Sequence, residues 1–515
     1  MIETMKKILT ISILLSALTL TGCKDFLVQE PITSQSTDQL MSTYNGLNNA
    51  VAGAYSPLAT NYWYGGLYFL LDADTRAGIA AWPLSSDFQS GRMQTGFTLN
   101  YNENSTNGPW TYAYYVIFAA NSVIEQLEAN SASLVSSIVT QQDLDNIKAE
   151  SLTLRALGHF DLLRVYSRND YPELGVPVIT VPQESSDQPA RNTIAEVYAQ
   201  IEKDLTDAEA LISPDYVRSG VADANATINI WTIRALLARV YLYDATFSGD
   251  ASKYQLAADY ATQVIESGKY TMWKADEYST VWGNDVGGGE IIFETYQVQA
   301  NSYDAYWVAP THMTNPNGYA DVCASPLILK AFEPGDVRGA QAGVRDKNED
   351  GQMYCTDTDE KSGDYWPMKY PGKGLGNVTG TPDQNNCVII RLSEMYLIRA
   401  EAMLNGASVA GATAMSDINT IRTNRNATAF TANPVLDDIV QEYMLEFCFE
   451  GQYWYTMARL VTAGKINYGI TYTTDRTEAQ RRGTAGIDTD DRFWALPISR
   501  TERDVNPNLE QTPGY

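Results

Sequence analysis

Histidine is almost absent from this sequence. Among 515 residues there are 2 histidines, His159 and His312. A serine–histidine triad or a metal site built from several imidazoles would have too little material here. His159 falls within an apolar helical pattern and His312 in a predicted loop, so both are predicted to be structural or incidental.

Cysteine is also scarce, with 5 residues in the chain. Apart from Cys23, they are Cys323, Cys355, Cys387 and Cys448, and their spacing fits no zinc-binding pattern. In an exported protein a pair such as Cys355 and Cys387 could form a disulfide. Cys448 lies on the apolar stripe of a predicted helix, which favours a small buried hydrophobe.

Positive charge is the third deficit. Lysine and arginine total 36 against 62 aspartates and glutamates, which gives a formal net charge of −26. A surface this acidic repels phosphate backbones, whereas nucleic-acid-binding proteins carry basic patches. The composition therefore predicts no nucleic-acid partner.

Long apolar stretches are missing except at the N-terminus, where Lys6 and Lys7 precede an apolar run from Ile8 to Leu20. That order is typical of a secretory signal peptide, and the run is shorter than the roughly 20 residues of a membrane-spanning helix. The following Leu20-Thr21-Gly22-Cys23 resembles a bacterial lipobox. We expect residues 1–22 to be removed and Cys23 to carry acyl chains such as palmitate, which would anchor an otherwise soluble protein to a membrane.

Helical periodicity dominates the rest of the chain. From Leu436 to Cys448 apolar residues recur at spacings of three and four, with acidic residues between them. Segments 144–166 and 229–243 are apolar on most sides, which indicates helices buried among other helices. Further helices are predicted near 41–55, 110–129, 193–211, 253–267, 393–404 and 412–425.

Two stretches, 238–270 and 398–425, resemble each other. In both, a helix rich in alanine is followed by one with alanine and isoleucine seven residues apart, Ala258 with Ile265 and Ala414 with Ile421. This resembles the helix pairs of tetratricopeptide repeats, although the spacing between the two helices differs. The fold class is predicted to be mainly α, built on a degenerate helical repeat.

Long irregular stretches rich in Gly, Asn, Asp, Ser and Pro separate these helices. The principal ones are loop insertions at about 58–109, 271–325 and 333–388, with a shorter one at 167–192. Loops of this length are usually functional or disordered, and their aromatic content argues against disorder. We therefore predict one unit over 23–515, in which an N-terminal part (about 23–220) and a C-terminal part (about 320–515) interleave and the insertions form a loop-rich half.

Several motifs resemble one protein family. The C-terminal WALPISRTERDVNPNLEQTPGY, together with RLSEMYLIRAEAMLNG at 391–406, IVQEYMLEFCFEGQYWYTMARL at 439–460 and AESLTLRALGHFDLLRVY at 149–166, is similar to the helices and closing signature of SusD-like (RagB/SusD) nutrient-uptake lipoproteins. The chain departs from the family pattern at Tyr443, where arginine is usual, and at Tyr455, where aspartate is common.

This resemblance implies four tetratricopeptide-like helix pairs packed against an irregular ligand-binding half. It also implies a surface-exposed lipoprotein of the outer membrane that binds a nutrient glycan and delivers it to a TonB-dependent β-barrel transporter (SusC-like). Such a protein is not an enzyme. Lys24 and Asp25 after the lipobox fit the charged export signals of such lipoproteins.

Aromatic residues in the loops are the candidates for a glycan site, because sugars stack an apolar face on a ring and place hydroxyls beside polar groups. One set lies in the first insertion: Trp63, Tyr64, Tyr68, Asp72, Asp74, Arg76 and Trp82. A second set lies in the next insertion: Trp273, Tyr278, Trp282, Asn301, Tyr303, Tyr306, Trp307 and Asn315. The principal glycan-binding candidates are Trp82, Trp282, Tyr303 and Trp307, with Asp74 and Arg76 beside them; Tyr365 and Trp366 are weaker candidates.

A further motif runs from Asp346 to Asp357 and satisfies the beginning of an EF-hand-type loop. Its oxygen ligands would be Asp346, Asn348, Asp350, the backbone of Gln352, and Asp357. Aspartate at the last position is shorter than the usual glutamate, and an acidic surface turn would look similar. Calcium, if bound, would be structural, and no other cofactor is indicated.

Two alternatives to glycan capture remain open. Peptide capture, as in the RagB branch of the family, also uses aromatic pockets. A surface glycoside hydrolase needs only two suitably placed carboxylates. Charged pairs such as Arg399 with Glu401 and Glu450 with Arg459 lie in apolar helices, where we expect them to neutralise buried charge and not to act on a substrate.

Overall fold

The computed structural model describes residues 40–83, 93–104, 108–221, 223–282, 288–296, 314, 320–339, 354–356, 364–367, 369–370, 385–467 and 491–515. Its helices in chain order are α1 (Tyr44–Tyr55), α2 (Asp72–Arg76), α3 (Gln94–Thr98), α4 (Trp110–Leu134), α5 (Gln141–Tyr166), α6 (Ile194–Leu211), α7 (Ile230–Ser248), α8 (Ala251–Ile265), α9 (Tyr278–Val281), α10 (Pro326–Ala331), α11 (Leu392–Leu404), α12 (Ala414–Asn424), α13 (Leu436–Phe447), α14 (Gln452–Thr462) and α15 (Arg500–Val505).

The long helices begin where the sequence supplies capping groups. The Thr140 hydroxyl accepts a hydrogen bond from the Asp143 N–H, and the Asp143 carboxylate accepts one from the Thr140 N–H, so the two residues form a capping box at the start of α5. Thr193 and Glu196 repeat this arrangement at the start of α6. These reciprocal bonds satisfy backbone donors that a helix start leaves free.

Consecutive helices pack on one another from α4 to α8, and α8 then packs on α11 and α11 on α12. Close approach between α4 and α5 depends on Gly158, because a Cβ there would lie 2.9 Å from Cγ1 of Ile117. One continuous core of buried apolar side chains runs through these helices. The mainly α fold class is therefore confirmed.

The two similar stretches each fold as a helix pair, the first over α7 and α8 and the second over α11 and α12. The pairs also contact one another through α8 and α11. This arrangement agrees with stacked helix pairs. The assignment to four tetratricopeptide-like repeats stays a prediction.

Short strands pair within one insertion and between insertions that are far apart in sequence. They are β1 (Ala80–Ala81), β2 (Ile291–Glu294), β3 (Cys323–Ala324), β4 (Tyr354–Thr356), β5 (Tyr365–Pro367) and β6 (Val388–Arg391). All pairs are antiparallel: β1 with β3, β2 with β6, and β4 with β5. The loop-rich segments are thus connected to one another through backbone hydrogen bonds.

The segment 58–109 is less irregular than predicted. It contains a π-helix at Leu67–Leu71, the short helices α2 and α3, and strand β1. These elements are too short to produce an apolar period in the sequence. Tertiary contacts therefore decide their conformation.

The structure describes the side chains of three cysteines, Cys323, Cys387 and Cys448, and all three are buried. Cys387 forms no disulfide, so it is not joined to Cys355. Burial raises the pKa of Cys387 to about 12, which keeps it a neutral thiol. Cys448 is a buried small hydrophobe, as predicted.

Candidate functional site

The aromatic residues at the start of the first insertion attach it to the helical scaffold. Trp63 and Tyr64 are fully buried, and the Trp63 Nε1–H and the Tyr64 hydroxyl both donate to Oδ2 of Asp161 on α5 at 2.7 Å. Asp161 also pairs with Arg164. These rings therefore have a structural role in this conformation and present no face to a ligand.

Asp74 and Arg76 lie in the interior, with residue exposures of 0% and 1%. Burial raises the pKa of Asp74 well above its usual value, and the Gly451 N–H donates to its carboxylate at 3.2 Å. The Arg76 guanidinium lies 4.4 Å from the ring centre of Trp454 and contacts Asp72 at 3.4 Å. Both side chains are buried where they join the insertion to α14. This burial argues against the expected direct contact with a glycan.

Trp82 keeps part of its ring exposed. It stacks almost parallel on Phe97 of α3, with ring centres 5.5 Å apart and an angle of 9° between the planes. An indole held on one face by another ring has a fixed orientation. Among the principal candidates that the structure describes, Trp82 is the one that stays part-exposed.

The described rings of the second set come together in one cluster. Trp273, Tyr278 and Trp282 make edge-to-face contacts with one another, and Tyr370 packs against Trp282 at 5.8 Å. Tyr370 was not predicted, because nothing in the sequence connects it with residues about ninety positions away. Trp282 is buried, with 4% exposure, so its contribution to binding would be an edge and not an open ring face.

A cleft of about 330 Å³ opens beside this cluster. It is lined by Thr271, Trp273, Glu277, Val281, Trp282, Gly288, Gly289, Ile291, Glu294, Asn386 and Val388. Gly289 packs directly on Trp273, since a Cβ there would lie 2.2 Å from its Nε1, and the φ of 54° also favours glycine. Nε1 of Trp282 is buried and has no hydrogen-bond partner within the part of the chain that the structure describes. A buried N–H of this kind beside a cleft can donate to a ligand oxygen.

A group of buried charged side chains contacts the aromatic cluster. We call it the arginine–glutamate cluster: Arg338, Arg391, Arg425, Glu290 and Glu446. Arg391 and Arg425 each donate to both glutamates at distances of 2.6 to 3.0 Å, and Arg338 donates to Glu446 at 2.9 Å. Burial alone would raise the pKa of Glu446, but the three guanidinium groups together lower it well below its usual value.

Three cations connect this cluster to the rings. Arg425 lies 4.2 Å from the ring centre of Tyr278, and Arg391 and Lys369 lie 5.6 and 5.1 Å from that of Trp282. Such cation–π contacts fix the rings further. The wall of the cleft is therefore pre-organised by buried ion pairs.

The charged residues expected to be paired are paired, although with other partners. Arg399 forms a two-bond ion pair with Asp417, and Arg459 forms one with Glu401. Glu450 accepts from Arg391 and Lys369. The predicted structural role of these side chains is confirmed. Their actual partners lie elsewhere in the chain and could not be identified from proximity in the sequence.

His159 is also structural, as predicted. It is fully buried on α5, with Nδ1 3.0 Å from the Arg155 carbonyl oxygen, while Nε2 accepts from the Ile179 N–H at 3.0 Å. Burial, and then the charge of Arg155, lowers its pKa from 6.5 to about 3. The ring is therefore neutral in the folded protein near neutral pH.

His159→Gln is expected to flatten the dependence of stability on pH. The unfolded chain protonates this imidazole below pH 6.5 and the folded chain only near pH 3, so its contribution to stability is complete above pH 6.5 and falls with pH across that window. The slope of the free energy of unfolding between pH 5.5 and 4 should decrease by about 1.4 kcal/mol per pH unit. Urea titrations over this range check it, and parallel curves for the two proteins would contradict it.

Several predicted positions lie outside the described residues. They are Cys23, Asn301, Tyr303, Tyr306, Trp307, His312, Asn315 and the calcium-loop positions Asp346, Asn348, Asp350, Gln352 and Asp357. Their predictions stay untested, including the calcium site. Of the weaker candidates, Trp366 is buried and Tyr365 is half-buried.

No group of three or more histidine, cysteine, aspartate or glutamate side chains is placed to hold a metal ion in the ranges given above. Within those same ranges, no helix combines the length and apolar character needed to cross a bilayer.

The chain is similar to known proteins along most of its length. A family model described as "SusD family" matches residues 337–515, and one described as "Starch-binding associating with outer membrane" matches residues 25–242. The SusD-like protein P2 of Formosa agariphila is 24% identical over 549 residues, covering 98% of this chain and 99% of the relative. The starch-binding protein SusD of Bacteroides thetaiotaomicron is 24% identical over 486 residues, covering 81% and 80%.

A solved structure extends the comparison to the fold. The crystal structure of a SusD superfamily protein from Bacteroides thetaiotaomicron matches with a TM-score of 0.72 and 28% identity, and the match covers 92% of this chain and all of that one (100%). The two family models match the C-terminal and the N-terminal parts of the chain, and the match to the solved structure covers 92% of the chain. The chain therefore belongs to the SusD-like family.

Proposed function

We propose that this protein is a lipid-anchored protein of the outer membrane that binds a nutrient glycan at the cell surface. The observation that carries the proposal is the cleft beside Trp282. Its walls combine indole rings with Thr271, Glu294 and Asn386. Apolar ring edges next to hydroxyl, amide and carboxylate groups are what a sugar ring requires.

Trp82 is a further proposed contact for the glycan, a part-exposed indole held in place by Phe97. A starch-binding relative and a family description that names starch and the outer membrane support the same ligand class. The bound glycan would then pass to a TonB-dependent β-barrel transporter, with the lipid on Cys23 holding the protein beside it. No bond in the glycan would be broken, so incubation with a bound polysaccharide should release no reducing ends.

Two substitutions test the site. Trp82→Ala removes a stacking ring, worth about 0.5–1.5 kcal/mol beyond its buried area, and is expected to weaken glycan binding about tenfold. Trp282→Phe keeps a ring in the cluster but removes the Nε1 donor, and a loss of about threefold to tenfold is expected. Calorimetry with a polysaccharide that binds the unaltered protein measures both effects.

Trp231→Ala is the matched control. Trp231 is also half-buried and lies on α7, and it belongs neither to the lining of the Trp282 cleft nor to the stack of Trp82 on Phe97. Its affinity should equal that of the unaltered chain. If both tryptophan variants bind as tightly as the control, the glycan does not use these rings. Binding of peptides in place of every polysaccharide tested would favour the peptide alternative.

A further inference from the structure

A second group of aromatic rings shares no residue with the cleft at Trp282 or with the Trp82 stack, and we call it the tyrosine platform: Tyr62, Tyr68 and Tyr112. Of these, Tyr68 belongs to the first candidate set from the sequence. The Tyr62 ring lies 4.9 Å from that of Tyr68 and 5.3 Å from that of Tyr112, with angles of 23° and 19° between the planes. Carbon atoms in contact are about 3.5–4.0 Å apart, so these rings are offset and cover one another only partly. All three remain part-exposed.

The platform is rigid because its neighbours in sequence are buried. Tyr62 is followed directly by Trp63 and Tyr64, and Tyr68 is followed by Phe69. These three following residues have exposures of 0%. Hydrogen bonds from Trp63 and Tyr64 to Asp161 attach the segment to α5. The segment therefore combines fully buried rings with the half-buried rings of Tyr62 and Tyr68, and Tyr68 also packs against the core.

A cleft of about 340 Å³ adjoins the platform. It is lined by Tyr62, Gly108, Trp110, Thr111, Tyr112, Tyr166, Ser499, Thr501 and Glu502. Hydroxyl groups of serine, threonine and tyrosine predominate among its polar groups, and the Glu502 side chain is hydrogen-bonded to Trp110. It shares no lining residue with the cleft at Trp282.

Two further exposed rings lie on α4 beyond Tyr112. Tyr115 and Phe118 are 59% and 46% exposed and follow at intervals of three residues. With a rise of 1.5 Å and a turn of about 100° per residue, Phe118 lies about 9 Å along the helix from Tyr112 and about 120° around it. The three rings do not form one flat face, and a ligand that contacts more than one of them must be long enough to follow this curved path.

We propose that the tyrosine platform and its cleft form a second carbohydrate site, which binds an internal stretch of a polysaccharide chain. The inference rests on the proposed function. The part-exposed rings can contact the apolar side of sugar rings, and the hydroxyl-lined cleft at their side can bind sugar hydroxyls. A second site would increase the affinity for long polymers above that for short fragments, because one chain can engage both sites.

The test is electrophoresis in native gels that contain starch or laminarin, or another soluble polysaccharide that retards the unaltered full chain. The double substitution Tyr62→Ala with Tyr112→Ala is expected to weaken polymer binding about tenfold. The pair Tyr62→Phe with Tyr112→Phe keeps the rings and should stay within about twofold of the unaltered protein. Binding of a short oligosaccharide at the Trp282 cleft should be unchanged in both.

The outcomes separate the two proposals. If no polysaccharide retards the unaltered chain, the proposed function is overturned and the second site with it. If a polymer binds and the alanine pair binds it equally well, the second site alone is overturned. Should the alanine pair fail to fold, the single substitution Tyr112→Ala removes one half-buried ring of the platform and of the cleft lining, and it should weaken polymer binding about threefold; unchanged retardation would then overturn the proposal.

Discussion

Glu446→Gln is expected to lower the free energy of unfolding by about 3–5 kcal/mol, although the two side chains have nearly the same shape. Glu446 is fully buried and accepts hydrogen bonds from Arg338, Arg391 and Arg425. Glutamine removes the negative charge while the three guanidinium groups stay buried. An uncompensated buried charge is among the most costly changes in a protein interior.

The pKa of Glu446 gives the same direction. Burial would raise it, yet the three arginines lower it well below its usual value, so the charged form is the one that the fold requires. Because the cluster contacts Tyr278 and Trp282, the variant should also loosen the wall of the cleft. We therefore expect weaker glycan binding together with lower stability.

Urea unfolding followed by circular dichroism measures the effect, and Glu128→Gln is the matched control. Glu128 pairs with Lys148 at the surface, with its side chain 61% exposed, and exposed pairs contribute about 0–1 kcal/mol. A similar small change in both variants would mean that the arginine–glutamate cluster does not hold the loop-rich half in place.

The long helices were predictable because each carries its own signal. An apolar stripe is a local feature, and it located α5, α6, α8 and α13 to within a few residues. The pairing of buried charges was also predictable in kind, since apolar helices cannot hold lone charges.

The site was predictable only in part, because burial in loops depends on partners far away in sequence. Trp63 and Asp74 look like ligand residues in an insertion, yet Asp161 and Gly451 bind them in the interior. No local pattern distinguishes these from Trp82, which stays part-exposed. The cleft at Trp282 likewise joins Asn386 to residues about one hundred positions earlier.

Cys23→Ala is expected to abolish retention at the cell surface while folding and glycan binding stay unchanged. The lipobox cysteine is the proposed attachment point of the acyl chains, and each buried methylene contributes about 0.8 kcal/mol to membrane binding. Several chains on one residue exceed the reversible attachment that a single chain provides.

Antibody staining of intact cells, with fractionation of the same cultures, measures retention, and the thermal transition of the purified variant measures folding. Trp82→Ala is the control, because it should lose affinity for glycan but keep full surface staining. If Cys23→Ala stained like the unaltered protein, the chain would be held at the surface by protein contacts, and the lipid would not be its anchor. If the variant left the surface and still bound glycan, anchoring and capture would be separate functions of one chain, the first in Cys23 and the second in the aromatic clefts.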